Sequence, residues 1–292
     1  GSPARVYHYE LFGKRFEKYD FLAKTSFSDI PWKELTPQAP QYFFVPKDFS
    51  VQIEYEKGFK IDELMKINKI GVETGMDCFF IGVNKQDFVN VIEKSFAEKN
   101  IAINKFNIHN TSGYPLLDRF NKAQFDKSKI RKIAYRPLDS EYCYYDQQLL
   151  RRSSAETMRH LLHENIALVL TPQGKAIGEG KWDGIFATNT IVDKNIYRRG
   201  GGLVFPLYLY PTDGEEQLGE TRKPNLDEKI WHKIDACLDE CHSGGQGPIE
   251  SMDPIEASPL QGDNPSHITT PEQVFDYIYG VLHTPSYREK YK

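Results

Sequence analysis

Apolar and polar residues recur along the 292-residue chain with periods near two in some stretches and near 3.6 in others. The opening VYHYELFGKRFEKYDFL alternates aromatic and polar residues and then turns charged, which predicts a strand followed by a connecting segment. Pro31, Pro37, Pro40 and Pro46 punctuate the next stretch and leave YFFV, 42–45, as a short buried strand. Residues 60–69 predict a short helix. GVETGMDCFFIGV reads as a glycine-broken turn leading into an apolar strand, and KQDFVNVIEKSFAEKN as a helix with Phe88, Val89, Ile92 and Phe96 on one face. IRKIAYRP predicts a strand halted by Pro137. SSAETMRHLLHEN predicts a helix, with Ser153 or Ser154 as its cap and Glu156 in a first turn that favours negative charge.

IALVLT, GIFATNTIVD and LVFPLYLY predict further strands, the last two separated by the basic turn YRRGGG, 197–202. A helix follows over 225–241. Residues 242–266 are rich in Gly, Pro, Ser and acids and predict a flexible insertion. Thr270-Pro271-Glu272-Gln273 then supplies a capping threonine, a proline at the first helical position and a capping-box glutamine. No internal repeat is visible. Strands and helices without regular alternation predict an α+β fold: a mixed or antiparallel sheet with flanking helices, in one or two lobes, plus a C-terminal helical segment. The expected boundaries are a core over 1–211, a connecting helical segment over 212–241, the insertion over 242–266 and the terminal helices over 267–292.

Composition narrows the class. The chain is 39% hydrophobic and 13% aromatic, enough to fold, and no apolar run reaches the length of a membrane span. Gly1-Ser2 reads as a scar of tag cleavage, and a chain that starts in mid-pattern and stops after a helical segment reads as an excised piece. Four cysteines are too few for a disulfide framework, which points to a reducing, cytoplasmic setting. Cys237, Cys241 and His242 lack the paired spacing of a four-ligand zinc site. The net charge of −4 divides unevenly: 30 basic against 25 acidic residues precede Thr212, and 7 against 16 follow. The local excess is what a phosphate backbone meets, so the first part is compatible with nucleic acid.

Several chemistries are missing. An adenine-N6 methyltransferase needs a glycine-rich cofactor loop and an Asn/Asp-Pro-Pro-aromatic motif for the flipped base, and the chain has neither. There is no G-x-x-x-x-G-K-[ST] loop for nucleotide phosphates. The eight histidines form no H-E-x-x-H, and His160 and His163 read as packing or surface residues. Glu179 and Lys181 in GEGKWDG form an E-x-K, the basis of an alternative reading as a metal-dependent nuclease.

Taken in order, GVETGMDCFFI at 71–81, IAYRPLDSEYCYY at 133–145, MRHLLHENIAL at 158–168, VFPLYLY at 204–210 and FDYIYGVLHTPSYREKY at 275–291 resemble the C-terminal target recognition region of type ISP restriction-modification enzymes, related here to Eco57I-like methylases. The resemblance covers most of the chain. It implies a module that reads double-stranded DNA, joined to upstream nuclease, helicase and methyltransferase parts. It also implies that S-adenosylmethionine, ATP and Mg2+ serve those parts, with no cofactor in this piece. Glu141 stands where the family places a second arginine after Y-R-P-x-D.

Candidate DNA contacts follow from residue type and position. Arg136 ends a strand before a proline and either projects toward DNA or pairs with Asp139. Arg151 and Arg152 precede an expected helix N-terminus, where phosphate is favoured. Arg198 and Arg199 lie before three glycines that permit close approach to a groove, or form a solvated hairpin tip. Lys175 and Lys181 flank a glycine-rich turn, and Thr188 and Asn189 can hydrogen-bond base edges. Thr74 and Asp77 form the T-G-x-D turn, a recognition loop or a turn that needs Gly75 for its geometry. Tyr144 and Tyr145 read as packing residues. A third reading is a scaffold that packs on the methyltransferase and reads little DNA alone.

Overall fold

A computed structural model describes residues 4–39, 42–47, 49–171, 184–197, 201–212, 222–242 and 269–290. The chain divides into two compact units, Gly1–Glu56 and Lys57–Lys292, so the boundaries expected at 211 and 241 fall inside the second.

In the first unit, β1 (Val6–His8) pairs antiparallel with β2 (Lys33–Leu35). Between them, the segment expected to be a connection is a helix, α1 (Arg15–Lys24), and α2 (Gln52–Tyr55) closes the unit. Residues 42–45, expected as a buried strand, form none and are exposed. Aromatic content alone is a poor guide here, because no described residue of this unit is buried and a strand gains nothing without a layer to cover it.

The second unit begins with α3 (Ile61–Leu64), β3 (Lys69–Ile70), α4 (Asp77–Phe80) and β4 (Ile81–Gly82). Next come α5 (Lys85–Ala97), α6 (Lys99–Phe106), the small hairpin β5 (Asn110–Thr111) and β6 (Tyr114–Pro115), and α7 (Leu116–Lys122). Then follow β7 (Ile130–Arg136), β8 (Asp139–Tyr144), α8 (Ala155–Met158), β9 (Ala167–Leu170), β10 (Ile185–Thr188) and β11 (Ile191–Val192). The unit ends with β12 (Leu203–Pro206), β13 (Tyr208–Leu209), β14 (Lys223–Pro224), α9 (Glu228–His242), α10 (Pro271–His283) and α11 (Pro285–Lys290).

Two four-stranded sheets organise these elements. One has the order β10-β9-β12-β3 and is antiparallel throughout; the other, β11-β7-β8-β4, is antiparallel except where β11 runs parallel to β7. Strand alternation explains why IALVLT is apolar without a break. Ala167 and Val169 face one core, with Phe79, Phe96, Phe120 and Tyr144, while Leu168 and Leu170 face a second, with Trp231, Phe275 and Ile278. The first sheet is thus the wall between two cores, and α10 packs on its outer side. The sequence-predicted faces hold: Phe88, Val89, Ile92 and Phe96 of α5 are buried, and Thr270 accepts a hydrogen bond from Gln273 N at the head of α10 while Gln273 accepts one from Thr270 N at 2.8 Å.

The helix expected over 153–165 is not continuous. It is one α turn, Ala155–Met158, followed by a 3-10 turn over Arg159–Leu162, and Ser154 makes no side-chain cap. His160 breaks the helical face: it is 2% exposed, and its Nδ1 accepts a hydrogen bond from Tyr210 N at 2.9 Å. Burial, helped by Arg159 and His163, pushes its pKa down to about 4. A pKa lowered on folding stabilises the neutral form, so this contribution is full above about pH 6.5 and is lost as pH falls through about 4. Urea midpoints should therefore drop across that window, and His160→Asn should flatten the drop; an unchanged slope in the variant would remove His160 from the account.

Candidate nucleic-acid interface

The T-G-x-D turn is built by close approach. Segment 71–73 runs along β11, where Val72 N donates to Val192 O at 2.7 Å and Lys194 N to Val72 O at 2.7 Å. A Cβ on Gly71 would stand 2.6 Å from the Val192 carbonyl oxygen, so only glycine fits. The next residue changes partner. Glu73 bridges antiparallel to Arg152, with N–H···O bonds of 2.9 and 3.0 Å. Gly75 has φ +80°, and a side chain there would meet the Tyr114 ring. The Tyr114 hydroxyl ties the turn to the chain after β8, donating to Thr74 O at 2.9 Å and sharing its hydrogen with Leu149 O at 2.8 Å. Thr74 is buried and its hydroxyl donates to the Asp77 carboxylate, which makes it a turn-shaping residue. Asp77 is exposed, and its other oxygen accepts from the Tyr135 hydroxyl at 3.0 Å.

Tyr135 belongs to the hairpin of β7 and β8. Next to it, Arg136 Nη1 donates to Asp193 Oδ1 at 2.8 Å, and its guanidinium lies 3.7 Å from the centroid of the Tyr135 ring. The expected alternative partner, Asp139, sits opposite Arg136 in the strand register, but the ion pair forms with Asp193. The reason is the edge pairing of β11 on β7, which delivers the buried Asp193 carboxylate to the arginine. Burial raises Asp193 to a pKa of about 6, with Asp77 adding to the shift and Arg136 opposing it. Glu141, in the place of the family's second arginine, is raised too, by burial first and Asp139 next. Across the hairpin tip, Leu138 is fully exposed and has φ +61°.

The residue after Asp193 carries the surface onward. Lys194 Nζ lies 2.9 Å from Glu73 Oε2, Arg152 Nε 3.8 Å from the same oxygen, and Arg151 Nε 3.7 Å from Glu73 Oε1. One carboxylate therefore organises three cations, leaving two positive charges uncompensated within the group. Arg151 and Arg152 side chains remain 46% and 70% exposed, so the guanidinium groups are available to solvent or ligand. A shallow depression of about 270 Å³ lies beside them, lined by Asn68, Lys69, Arg152, Ser154 and Lys194 among others. The cationic character does not come from a helix end, because α8 is a single turn and Arg152 is held in a β-bridge instead.

The structure thus gathers Thr74, Asp77, Arg136, Arg151 and Arg152 into one linked group and adds Glu73, Tyr135, Leu138 and Lys194, which the sequence did not single out. Their signal is weak: Glu73 and Lys194 are ordinary charges until the two segments are seen to pair. Thr188 and Asn189 follow β10; the Thr188 hydroxyl accepts from Thr190 N at 3.2 Å, and Asn189 is exposed. Lys175, Lys181, Arg198 and Arg199, with Glu179, lie outside the described residues. Tyr144 and Tyr145 are buried. Among the described residues, no group of three or more His, Cys, Asp or Glu could hold a metal ion, and no helix is long and apolar enough to cross a membrane.

A family model of the Type ISP C-terminal specificity domain matches residues 63–292. The chain belongs to that family. This Type ISP specificity domain is similar in fold to the DrdV–DNA complex determined by cryo-electron microscopy, with a TM-score of 0.66 and 16% identity, over 99% of this chain and 27% of that one. It is also similar to a nuclease-deletion mutant of the Type ISP restriction-modification enzyme LlaGI in complex with a DNA substrate mimic, with a TM-score of 0.59 and 17% identity, over 95% of this chain and 24% of that one. The ATP-dependent Type ISP restriction-modification enzyme LlaBIII bound to DNA gives a TM-score of 0.58 and 17% identity, over 90% of this chain and 16% of that one. The specificity domain therefore spans about a quarter or less of the solved chains it resembles. No curated protein matches it.

Proposed function

We propose that this specificity domain reads duplex DNA for a restriction-modification enzyme, choosing the site at which an N6-adenine methyltransferase and a nuclease elsewhere in the parent chain act. The observation that carries the reading is the group formed by Glu73, Arg151, Arg152 and Lys194, joined through Asp193 to Arg136 and the β7–β8 hairpin. Exposed guanidinium and ammonium groups fix a duplex by its phosphates, and base edges then supply the sequence information. Arg136 has a partly exposed fork suited to the guanine O6 and N7 acceptors, and Asp77 offers an acceptor suited to the cytosine amino group. Thr188 and Asn189 are further base-edge donors and acceptors, with Lys175, Lys181, Arg198 and Arg199 as further cations.

In this reading the domain performs no catalytic step and works in the cytoplasm. The loops that would hold S-adenosylmethionine or ATP are absent from its sequence, so those groups and Mg2+ serve the other parts of the parent enzyme. The uncovered aromatics of the first unit, Phe12, Phe16, Phe27 and Phe44 among them, favour packing of that unit on the upstream methyltransferase part. Exchanging residues 57–292 between this enzyme and a relative that methylates a different motif, followed by methylome mapping, tests the assignment. The methylated motif should travel with the exchanged segment. A motif that stayed with the recipient would overturn the reading.

A further inference from the structure

We propose that Leu138 is a wedge that enters the DNA stack between two base pairs and holds the duplex open beside the base to be modified. The inference rests on the duplex-reading role above. An isolated surface leucine is ordinary; a leucine with positive φ is not. The β7–β8 hairpin turns on Pro137 and Leu138, with proline at the second position and φ +61° at the third. That is the φ pattern of a type II turn, whose third position is ordinarily glycine or asparagine. A bulky apolar side chain is instead kept in a conformation that penalises it, and none of it is covered by the protein, with relative exposure of 106%. Strain retained without a packing return points from the outlier to a use outside the fold.

The surroundings fit a wedge rather than a protein contact. The tip is braced: Arg136, immediately before the turn, is clamped by Asp193 and stacked on Tyr135, and a register shift between Ala134 and Arg136 re-aims the end of the strand. Asp193 leads directly to Lys194 and, through Glu73, to Arg151 and Arg152, so the clamp at the base of the tip is linked to a group of exposed cations. DNA-kinking proteins combine these parts, using cations to hold the backbone while a Leu, Ile, Phe, Met or Pro side chain unstacks a step. Chemistry on an adenine inside a duplex requires the base to leave the stack, and an inserted side chain replaces part of the stacking energy that its departure removes.

The test uses the 292-residue chain with a duplex enriched by the wild type from a randomised pool, 2-aminopurine being placed at each step in turn. Anisotropy reads binding and 2-aminopurine emission reads unstacking. Wild type and Leu138→Met should raise emission at one step. Leu138→Asn and Leu138→Gly should give no rise, yet bind with an unchanged salt slope, and should melt higher than wild type by roughly 2–4 °C as the backbone penalty is relieved. Binding by the wild type without a rise at any step, a rise that persists in Leu138→Gly, or a lower melting temperature for that variant would each overturn the wedge. Failure of the wild type to bind any duplex even when rejoined to its methyltransferase part would instead overturn the duplex-reading role, and the wedge with it.

Discussion

Truncating Phe79 to alanine is expected to lower the unfolding free energy of the 57–292 unit by about 3–5 kcal/mol, the cost of deleting a buried aromatic ring and leaving a cavity. Phe79 is 1% exposed and lies edge-on to Phe80, Phe106 and Phe120, with ring centroids 4.9, 5.2 and 5.3 Å away. Its partners come from α6 and α7 as well as its own helix, so no single element can collapse into the gap. For a unit of this size the loss corresponds to a melting temperature lower by roughly 6–20 °C. The consequence reaches the candidate interface, because Phe79 and Phe80 anchor the chain directly after the T-G-x-D turn that carries Asp77. Phe79→Leu, which keeps most of the volume, should lose much less. Thermal and urea melts of both variants decide the matter; a loss below about 1 kcal/mol for the alanine variant would mean the aromatic cluster is not a closed core.

What the sequence makes legible depends on whether a residue's environment is set by its own neighbours in the chain. α5 is visible because four apolar residues at 3.6-residue spacing define one face, and α10 because its cap is a local hydrogen-bonding device. β9 is visible because a strand covered on both faces needs an unbroken apolar run. The stretch 153–165 fails for the opposite reason: its local helical pattern is overridden by the long-range bond between His160 and Tyr210. α6 and α7 are only eight and seven residues long, too short for a periodic pattern to stand out in the sequence. At the candidate interface, Arg136 and the Arg151–Arg152 pair are legible as cations after structural breaks. Their partners are not, because Asp193 and Glu73 reach them only through the parallel pairing of β11 with β7 and the bridge from Glu73 to Arg152. The difference changes the chemistry. Arg136 becomes a braced side chain, and the two later arginines join a three-cation group instead of a helix end.

That grouping leads to the second large effect, an expected fall of about 1.8 in the slope of log affinity against log salt when Arg151, Arg152 and Lys194 are all replaced by alanine. Each phosphate contact contributes roughly 0.9 to the slope through counterion release, and the two charges that Glu73 leaves uncompensated are removed. Between about 50 and 200 mM salt this amounts to roughly a 12-fold smaller loss of duplex affinity than wild type shows. The triple variant leaves Glu73 behind as a half-buried carboxylate with its three cations gone, and its repulsion of phosphate would add to the loss. Adding Glu73→Gln separates the two contributions, since it restores neutrality without restoring contacts: the slope should stay low while affinity at low salt partly recovers. Glu73→Gln alone should tighten binding, because it frees a positive charge already in place. Salt titrations by fluorescence anisotropy read all three variants. An unchanged slope in the triple variant would show that DNA does not lie against this surface, whatever else the domain binds.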